Sequence, residues 1–474
     1  MNPCDLVIKE YPIPFTLRED QVDAINTVCN EGWDRAALFM DVGVGKTVVA
    51  TLITLWMALA GKVDHIVIVM PPILLDQWEE WFEEFPDLTI ATYWGAPKKR
   101  KTIDLDVDVL LTTPGIFKRD FEEVKEFHRG RKTVLIVDEA ANLRRISTLF
   151  YSAVREFTRL ESKSLLMLTG TALGAPVHSY GYISLNSPEI YRDFLRFTLQ
   201  HIQYVDQFGN PSKYKNLDKL TKNLMKRAIW TKAEDVLDLP ELTTSAKIYK
   251  LTPAHYRLYN DLVEEQLLEL DDGTILDGTI PERMRHTVQK VIMSPAEYGG
   301  DKIEPAGYQL IDNFIEELGM TAGSGEKLVI FCNYNVSNEA VYKYVTEKLK
   351  LKAVQAYGVA GPAKNLKAVG RFQKDTDVQV LVAHPISAGS GLNLQHVCRA
   401  ILFIEIPVTA NQYTQCVGRV CRSGQTRPII IWLATAKKTI QMSLRRTVTK
   451  NEDLVQTMLP TKATMRAALF GEGD

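Results

Sequence analysis

Two separated series of short apolar runs limit what this chain can fold into. The first comprises Ala36 to Met40, Ile66 to Met70, Val109 to Leu111, Val134 to Val137 and Leu165 to Leu168, and the second Leu328 to Phe331, Val380 to Ala383, Ile401 to Ile404 and Ile429 to Leu433. Runs this short and this continuously apolar, set between helical stretches, are expected of parallel strands buried on both faces. Two series imply two α/β lobes, and 474 residues, 46% of them hydrophobic, suffice for two cores. Between the series, strand signals fade and helical spacing takes over. Tyr259, Leu262, Val263, Leu267 and Leu270 fall on one helix face, the pattern of ordinary core packing. Asp271-Asp272-Gly273 and Asp277-Gly278 break that helix, while Pro295 to Gly300 and Thr321 to Gly325 read as loops. The expected division is a first lobe over 1–173, a helical region and linker over 174–320, and a second lobe with C-terminal helices over 321–474.

Charge narrows the range of partners. A formal charge of −2 excludes a globally basic coat, so nucleic-acid contacts must come from local patches. The longest basic run, Lys98-Lys99-Arg100-Lys101, reads as a solvated loop unless it meets phosphate. Six cysteines (Cys4, Cys29, Cys332, Cys398, Cys416 and Cys421) contain no CxxC pair, which fits neither a zinc site nor a disulfide framework and makes a reducing cytoplasm the expected location. The sequence opens without a cationic, apolar leader, and prolines break the apolar run from Ile66 to Leu75, so neither secretion nor membrane spanning is expected.

The first run ends in Met40-Asp41-Val42-Gly43-Val44-Gly45-Lys46-Thr47, and a helix is expected from Val48. A strand, a glycine-bearing turn and a helix N-terminus together make a phosphate cradle. Gly43 and Gly45 let the backbone amides of the loop, including those of Val44 and Val48, approach phosphate. Lys46 can reach the β and γ phosphates, and Thr47 can ligate magnesium. The strict pattern has a small residue where Met40 stands, so only the tail of the motif matches. Asp138-Glu139 follows the run Val134 to Val137, which brings two carboxylates out at the carboxyl edge of the same sheet. Asp138 is placed to hold Mg2+, and Glu139 to orient or deprotonate the attacking water.

Near the end stands Gln415-Cys416-Val417-Gly418-Arg419-Val420-Cys421-Arg422-Ser423-Gly424-Gln425. Arg419 and Arg422 would share one face if this segment were helical, and two guanidinium groups there could act on a transferring phosphoryl group. The segment resembles the last signature motif of superfamily-two helicases, and its ending Arg-Ser-Gly-Gln is similar to the Swi/Snf-type branch of DNA translocases. Other signatures appear in the same order. Leu17-Arg18-Glu19-Asp20-Gln21 resembles the adenine-recognition motif, which implies that Arg18 and Gln21 serve the nucleotide. Pro71 to Trp78 and Thr112-Thr113-Pro114-Gly115 resemble strand-contacting motifs, and Leu168-Thr169-Gly170-Thr171-Ala172 the motif that couples hydrolysis to movement. Val329-Ile330-Phe331 and Ser387-Ala388-Gly389-Ser390-Gly391-Leu392-Asn393-Leu394 complete the series. Lys226-Arg227-Ala228-Ile229 through Leu239-Pro240, followed by Tyr256 and Tyr259, is similar to the entry into that branch's helical protrusions.

The resemblance implies an α/β fold of two RecA-like parallel-sheet lobes, a P-loop NTPase with helical insertions between the lobes and ATP and Mg2+ as cofactors. It implies catalytic roles for Lys46, Asp138, Glu139, Gln415, Arg419 and Arg422, and a nucleotide contact at Gly391. DNA contacts are implied at Pro71, Pro72, Thr112, Thr113, Pro114, Gly115, Ser387, Gly389 and Asn393, and coupling at Thr169, Gly170 and Thr171. The expected activity is a DNA-stimulated ATPase, a monomer that translocates on duplex or branched DNA, remodelling or branch-migrating forked or four-way structures. The compact size resembles phage-encoded DNA helicases. An RNA helicase, a restriction-type motor subunit and a nucleotide-gated DNA clamp with little turnover stand as alternatives. Two departures bear on coupling: Ala141 replaces the family's histidine after Asp-Glu-Ala, and Ala172 replaces its proline.

Overall fold

A computed structural model describes residues 2–170, 173, 175–205, 211–270, 279–321, 323–385, 393–407, 410–439, 441, 442 and 445. These fall into two compact units, one running to Leu237 and one starting at Asp238.

The first unit is built on a seven-stranded sheet. In chain order its strands are β1 (Arg35–Met40), β2 (His65–Val69), β3 (Ile90–Tyr93), β4 (Val109–Thr112), β5 (Thr133–Asp138) and β6 (Lys163–Thr169); a separate antiparallel hairpin, β7 (Ile202–Val205) and β8 (Pro211–Tyr214), precedes the last, β9 (Ala228–Thr231). The sheet order is β3-β4-β2-β5-β6-β1-β9, with parallel pairing throughout. Alternate residues of each strand enter opposite cores, as the pleat requires. Ala37 and Phe39 of β1 pack on one face, and Ala36, Leu38 and Met40 on the other.

The second unit has a six-stranded parallel sheet formed by β10 (Leu242–Tyr249), β11 (Leu328–Phe331), β12 (Ala353–Ala356), β13 (Val380–Ala383), β14 (Ala400–Phe403) and β15 (Ile429–Ala436), in the order β10-β15-β14-β11-β13-β12. Its core stacks Phe314 on Trp432, with ring centroids 4.4 Å apart, and the ammonium of Lys247 on edge strand β10 lies 3.8 Å from the centroid of the Trp432 ring. Helices Pro253–Leu270 and Thr279–Met293 pack together through Tyr259, Leu262 and Val263 against Val288, Val291 and Ile292. The proposed break at 271–278 and the side chains of Leu267 and Leu270 lie outside the described residues.

The stretch 174–320 is less uniformly helical than expected. It contributes β9 to the first sheet and β10 to the second, as well as the hairpin. Both of these sheet strands are edges with partly exposed faces, so neither is a continuous apolar run. The basic run is also divided by the fold. Lys98, Lys99 and Lys101 are exposed, but Arg100 is buried, and its Nε donates to the Asp120 carboxylate at 2.6 Å. No helix among the described residues is long and apolar enough to cross a membrane.

Phe39 joins β1 to both of its neighbours on that face, lying 5.2 Å from the Tyr182 ring and 5.3 Å from the Trp230 ring of β9. Phe39→Ala is expected to destabilise the first unit by about 3–5 kcal/mol, read as an earlier urea transition. A loss well under 1 kcal/mol would show that β9 is not held through this ring.

Candidate functional site

Three adjacent strands of the first unit carry the candidate chemistry at their carboxyl ends. The strands β5, β6 and β1 are neighbours in that order, and Asp138, Leu168 and Leu38 stand in one row across them. The end of β5 therefore lies two strand spacings, roughly 10 Å, from that of β1. The phosphate-loop residues leave β1, the acidic pair leaves β5, and Thr169-Gly170 leaves β6 between them.

The loop owes its shape to two left-handed glycines, Gly43 at φ 86° and Gly45 at φ 93°. A Cβ on Gly45 would stand 2.3 Å from Gln21 Nε2, so a side chain there would displace the Gln21 amide as well as strain the backbone. Helix Lys46–Leu59 starts at the next residue. The Lys46 ammonium donates to the carbonyl oxygens of Met40 and Asp41 at 2.8 and 3.0 Å. These are neutral acceptors, which a phosphate oxygen can displace with a stronger charge-assisted bond. Thr47 and Val48 are partly exposed at the helix start.

Arg18 and Gln21, expected to serve the nucleotide, are brought to this loop. Both donate to the Val44 carbonyl, Arg18 at 2.6 Å and Gln21 Nε2 at 3.0 Å, while Gln21 Oε1 accepts from the Arg18 amide at 3.0 Å. The segment after β6 also touches the loop: a Cβ on Gly170 would lie 3.2 Å from the Val42 amide nitrogen. Thr169 is fully buried, and Thr171 and Ala172 lie outside the described residues.

Asp138 is buried at the end of β5. Its Oδ1 accepts from the Glu139 amide at 2.8 Å and its Oδ2 from the Trp78 indole at 2.9 Å. Burial, followed by the adjacent Glu139 carboxylate, pushes the Asp138 carboxyl up to about 6, against the Trp78 hydrogen bond and the Lys46 ammonium, which favour its charged form. Glu139 occupies the left-handed region at φ 51°, ψ 48°, a strained place for a residue with a side chain. Its neighbours brace the turn. Tyr182 Oη donates to the Ala140 carbonyl at 3.4 Å, Arg144 Nε to that of Ala141 at 2.7 Å, and Gly181 packs so closely that a Cβ there would stand 2.3 Å from the Leu143 oxygen. Ala141 is buried and offers only a methyl group where the family has histidine.

Trp78 is the functional side chain whose role sequence reasoning missed. Its segment was expected to contact DNA, yet the indole is 1% exposed and spends its donor on Asp138. The available signal was physical: a buried indole N–H needs an acceptor, and the carboxylates of this sheet edge were the candidates. Among the other expected DNA contacts in this unit, Pro71 and Pro114 are partly exposed and Pro72 and Gly115 exposed. Thr112 is buried and donates to the Tyr93 carbonyl at 3.0 Å, and Thr113 is buried as the N-cap of helix Pro114–Arg119. Neither threonine is exposed.

In the second unit, the helical reading of the arginine segment is corrected. Helix Ala410–Val417 ends before Arg419, where turn hydrogen bonds take over and Leu394 N donates to the Arg419 carbonyl at 3.0 Å. Gly418, between β-branched Val417 and Val420, favours that termination. The arginines nonetheless come together. Burial, followed by the Arg419 charge, pulls Arg422 down to about 10. Arg422 donates to Asn393 Oδ1, while Gln415 is partly exposed on the preceding helix. Paired cations that repel one another this way suit an anion. Ser387, Gly389 and Gly391 lie outside the described residues.

Comparison with known proteins shows the family. The family model for the SNF2-related domain matches residues 26–297, and that for the helicase conserved C-terminal domain matches residues 309–424. The chain is similar to the chromodomain-helicase-DNA-binding protein 1-like of Danio rerio, 22% identical over 90% of this chain and 42% of that protein. It is also similar to the RNA polymerase-associated protein RapA of Haemophilus influenzae strain PittEE, 24% identical over 92% of this chain and 46% of RapA. The chain thus spans about half the length of the curated relatives it matches. A solved structure, the Sulfolobus solfataricus SWI2/SNF2 ATPase core in complex with dsDNA, matches at 20% identity and a TM-score of 0.44 over 96% of this chain and 97% of that one.

The raised Asp138 carboxyl has a consequence for stability. Its folded value lies above the unfolded one, so the stability linked to its proton is complete below the unfolded value and is lost as pH rises through about 6. Asp138→Asn carries no charge to bury and should flatten the loss between about pH 4 and about pH 7 by roughly 2–3 kcal/mol in chemical denaturation of the first unit. An unchanged pH dependence would show that Asp138 is not the group responsible.

Proposed function

Because the chain belongs to the SNF2-related, Swi/Snf-type branch of superfamily-two helicases and ATPases, we propose that it is an ATP-driven translocase on duplex DNA that remodels forked or four-way structures. The observation that carries this reading is the convergence of Lys46, Asp138 and Glu139 at the carboxyl ends of β1 and β5, the two strands that flank β6 in one sheet.

In this reading the amides around Gly43 to Thr47 cradle the phosphates, and Lys46 exchanges its two carbonyl acceptors for phosphate oxygens. Thr47 and Asp138 would hold Mg2+, which when bound neutralises phosphate charge. Asp138 fits that task because it is a desolvated carboxylate beside a second one, and a cation relieves both. Trp78 fixes the orientation of the Asp138 carboxylate. Glu139, locked in its left-handed turn, orients the attacking water and accepts its proton. Gln415, Arg419 and Arg422 serve the phosphoryl group from the second unit, a role that rests on the resemblance of their motif.

The DNA track uses Pro71, Pro72, Pro114 and Gly115 in the first unit and Ser387, Gly389 and Asn393 in the second. With Thr112 and Thr113 buried, the first-unit contact falls to backbone and ring surfaces, which read phosphate and shape rather than bases. Binding should therefore be insensitive to sequence and weaken with salt.

Steady-state ATP hydrolysis without nucleic acid, and with duplex, single strand, RNA or a four-way junction, tests the proposal. Duplex or junction should stimulate turnover; Lys46→Ala should lower it by at least about a hundredfold, and Glu139→Gln should bind ATP without turning it over. Stimulation by RNA alone would replace the duplex motor with an RNA helicase. Nucleotide-dependent DNA binding without turnover would replace it with a clamp.

A further inference from the structure

The second sheet ends in β12, an edge strand. Lys352 and Ala356 give their carbonyl oxygens to β13, accepting from Gln379 and Val380 and from His384. In a parallel ladder the alternate residues turn their amides and carbonyls the other way, so those of Ala353 and Gln355 face the free edge. A groove of about 460 Å³ runs along that edge. Tyr342 of helix Asn335–Lys343 and Tyr357 contribute to its walls, and Val359, 75% exposed, stands at one end.

Lys364, Lys367 and Arg371 line the same groove from helix Pro362–Lys374. Their spacing puts them on one helical face, beside the strand, and all three are exposed. Among the described residues, Arg371 makes a loose 4.0 Å contact with Asp375, and no carboxylate lines the groove.

We propose that this groove binds an extended acidic segment of a partner protein, which adds as a strand to β12. Its backbone pairs with Ala353 and Gln355, its acidic side chains meet Lys364, Lys367 and Arg371, and its apolar side chains on the alternate face cover Val359 and the tyrosine rings. Strand addition draws affinity from main-chain hydrogen bonds and specificity from alternate side chains, and this surface offers both. A nucleic-acid backbone would satisfy the cations but would leave the outward amides, the carbonyls and the apolar wall without matching groups. The proposal is independent of the duplex-DNA reading.

Fluorescence anisotropy on the full chain tests it with a dye-labelled peptide of alternating Glu and Val. Controls are an alternating Lys and Val peptide, and the Glu-Val peptide N-methylated at alternate residues to remove the donors that would pair with the edge. The Glu-Val peptide should saturate. Its affinity should fall by about tenfold both on N-methylation and in the double variant Lys364→Glu/Lys367→Glu, while that variant keeps its affinity for labelled duplex and its basal ATP hydrolysis. Binding indifferent to N-methylation would overturn strand addition. Absence of saturable Glu-Val binding would overturn the site, leaving lysines that merely guard a free edge against self-association. Loss of duplex affinity in the variant, with no effect on the peptide, would make the groove a nucleic-acid surface instead.

Discussion

The hydrogen-bonded register of β5, β6 and β1 is the constraint on which the rest of the first unit depends. The strands lie at the centre of a sheet covered on both faces, so their amides and carbonyls can be satisfied only by one another. A slip of one residue would turn each apolar set toward the wrong core and strand a row of polar groups. The ladder therefore fixes where the phosphate loop, the Thr169-Gly170 segment and the acidic pair leave the sheet. Gln21, Trp78 and Gly181 refine positions that it has already set.

Around that rigid edge the site carries features that oppose folding. Asp138 is a buried carboxylate beside a second carboxylate, and Glu139 sits in a left-handed turn. In the second unit, the partly exposed Arg422 stands near the buried Arg419, whose like charge disfavours its own. Such costs persist only where neighbours over-determine the geometry. Trp78 supplies a donor to Asp138, and Tyr182, Arg144 and the close approach of Gly181 hold the turn that follows. Arg144 also bears on the missing family histidine. Ala141 cannot reach another motif through its side chain, but its carbonyl is tied to a guanidinium that packs within the same turn.

The sequence by itself determined the strands buried on both faces and the motifs that follow them. Each expected run became a central strand, because burial on both sides demands continuous apolar residues and so leaves a mark readable without coordinates. Of the described strands it did not reveal, β7 and β8 form the separate hairpin, and β3, β9, β10 and β12 are the four edges of the two parallel sheets. A half-exposed strand needs no continuous apolar run, and only the position of its neighbour makes it a strand at all. The phosphate loop and the acidic pair were legible for a similar reason: their chemistry is carried by residues adjacent in sequence. Tertiary structure alone decided contacts between distant residues, such as Trp78 with Asp138, Gln21 with Val44 and Arg422 with Asn393. Those contacts depend on which surfaces the folded sheets bring together, and local pattern carries no record of that.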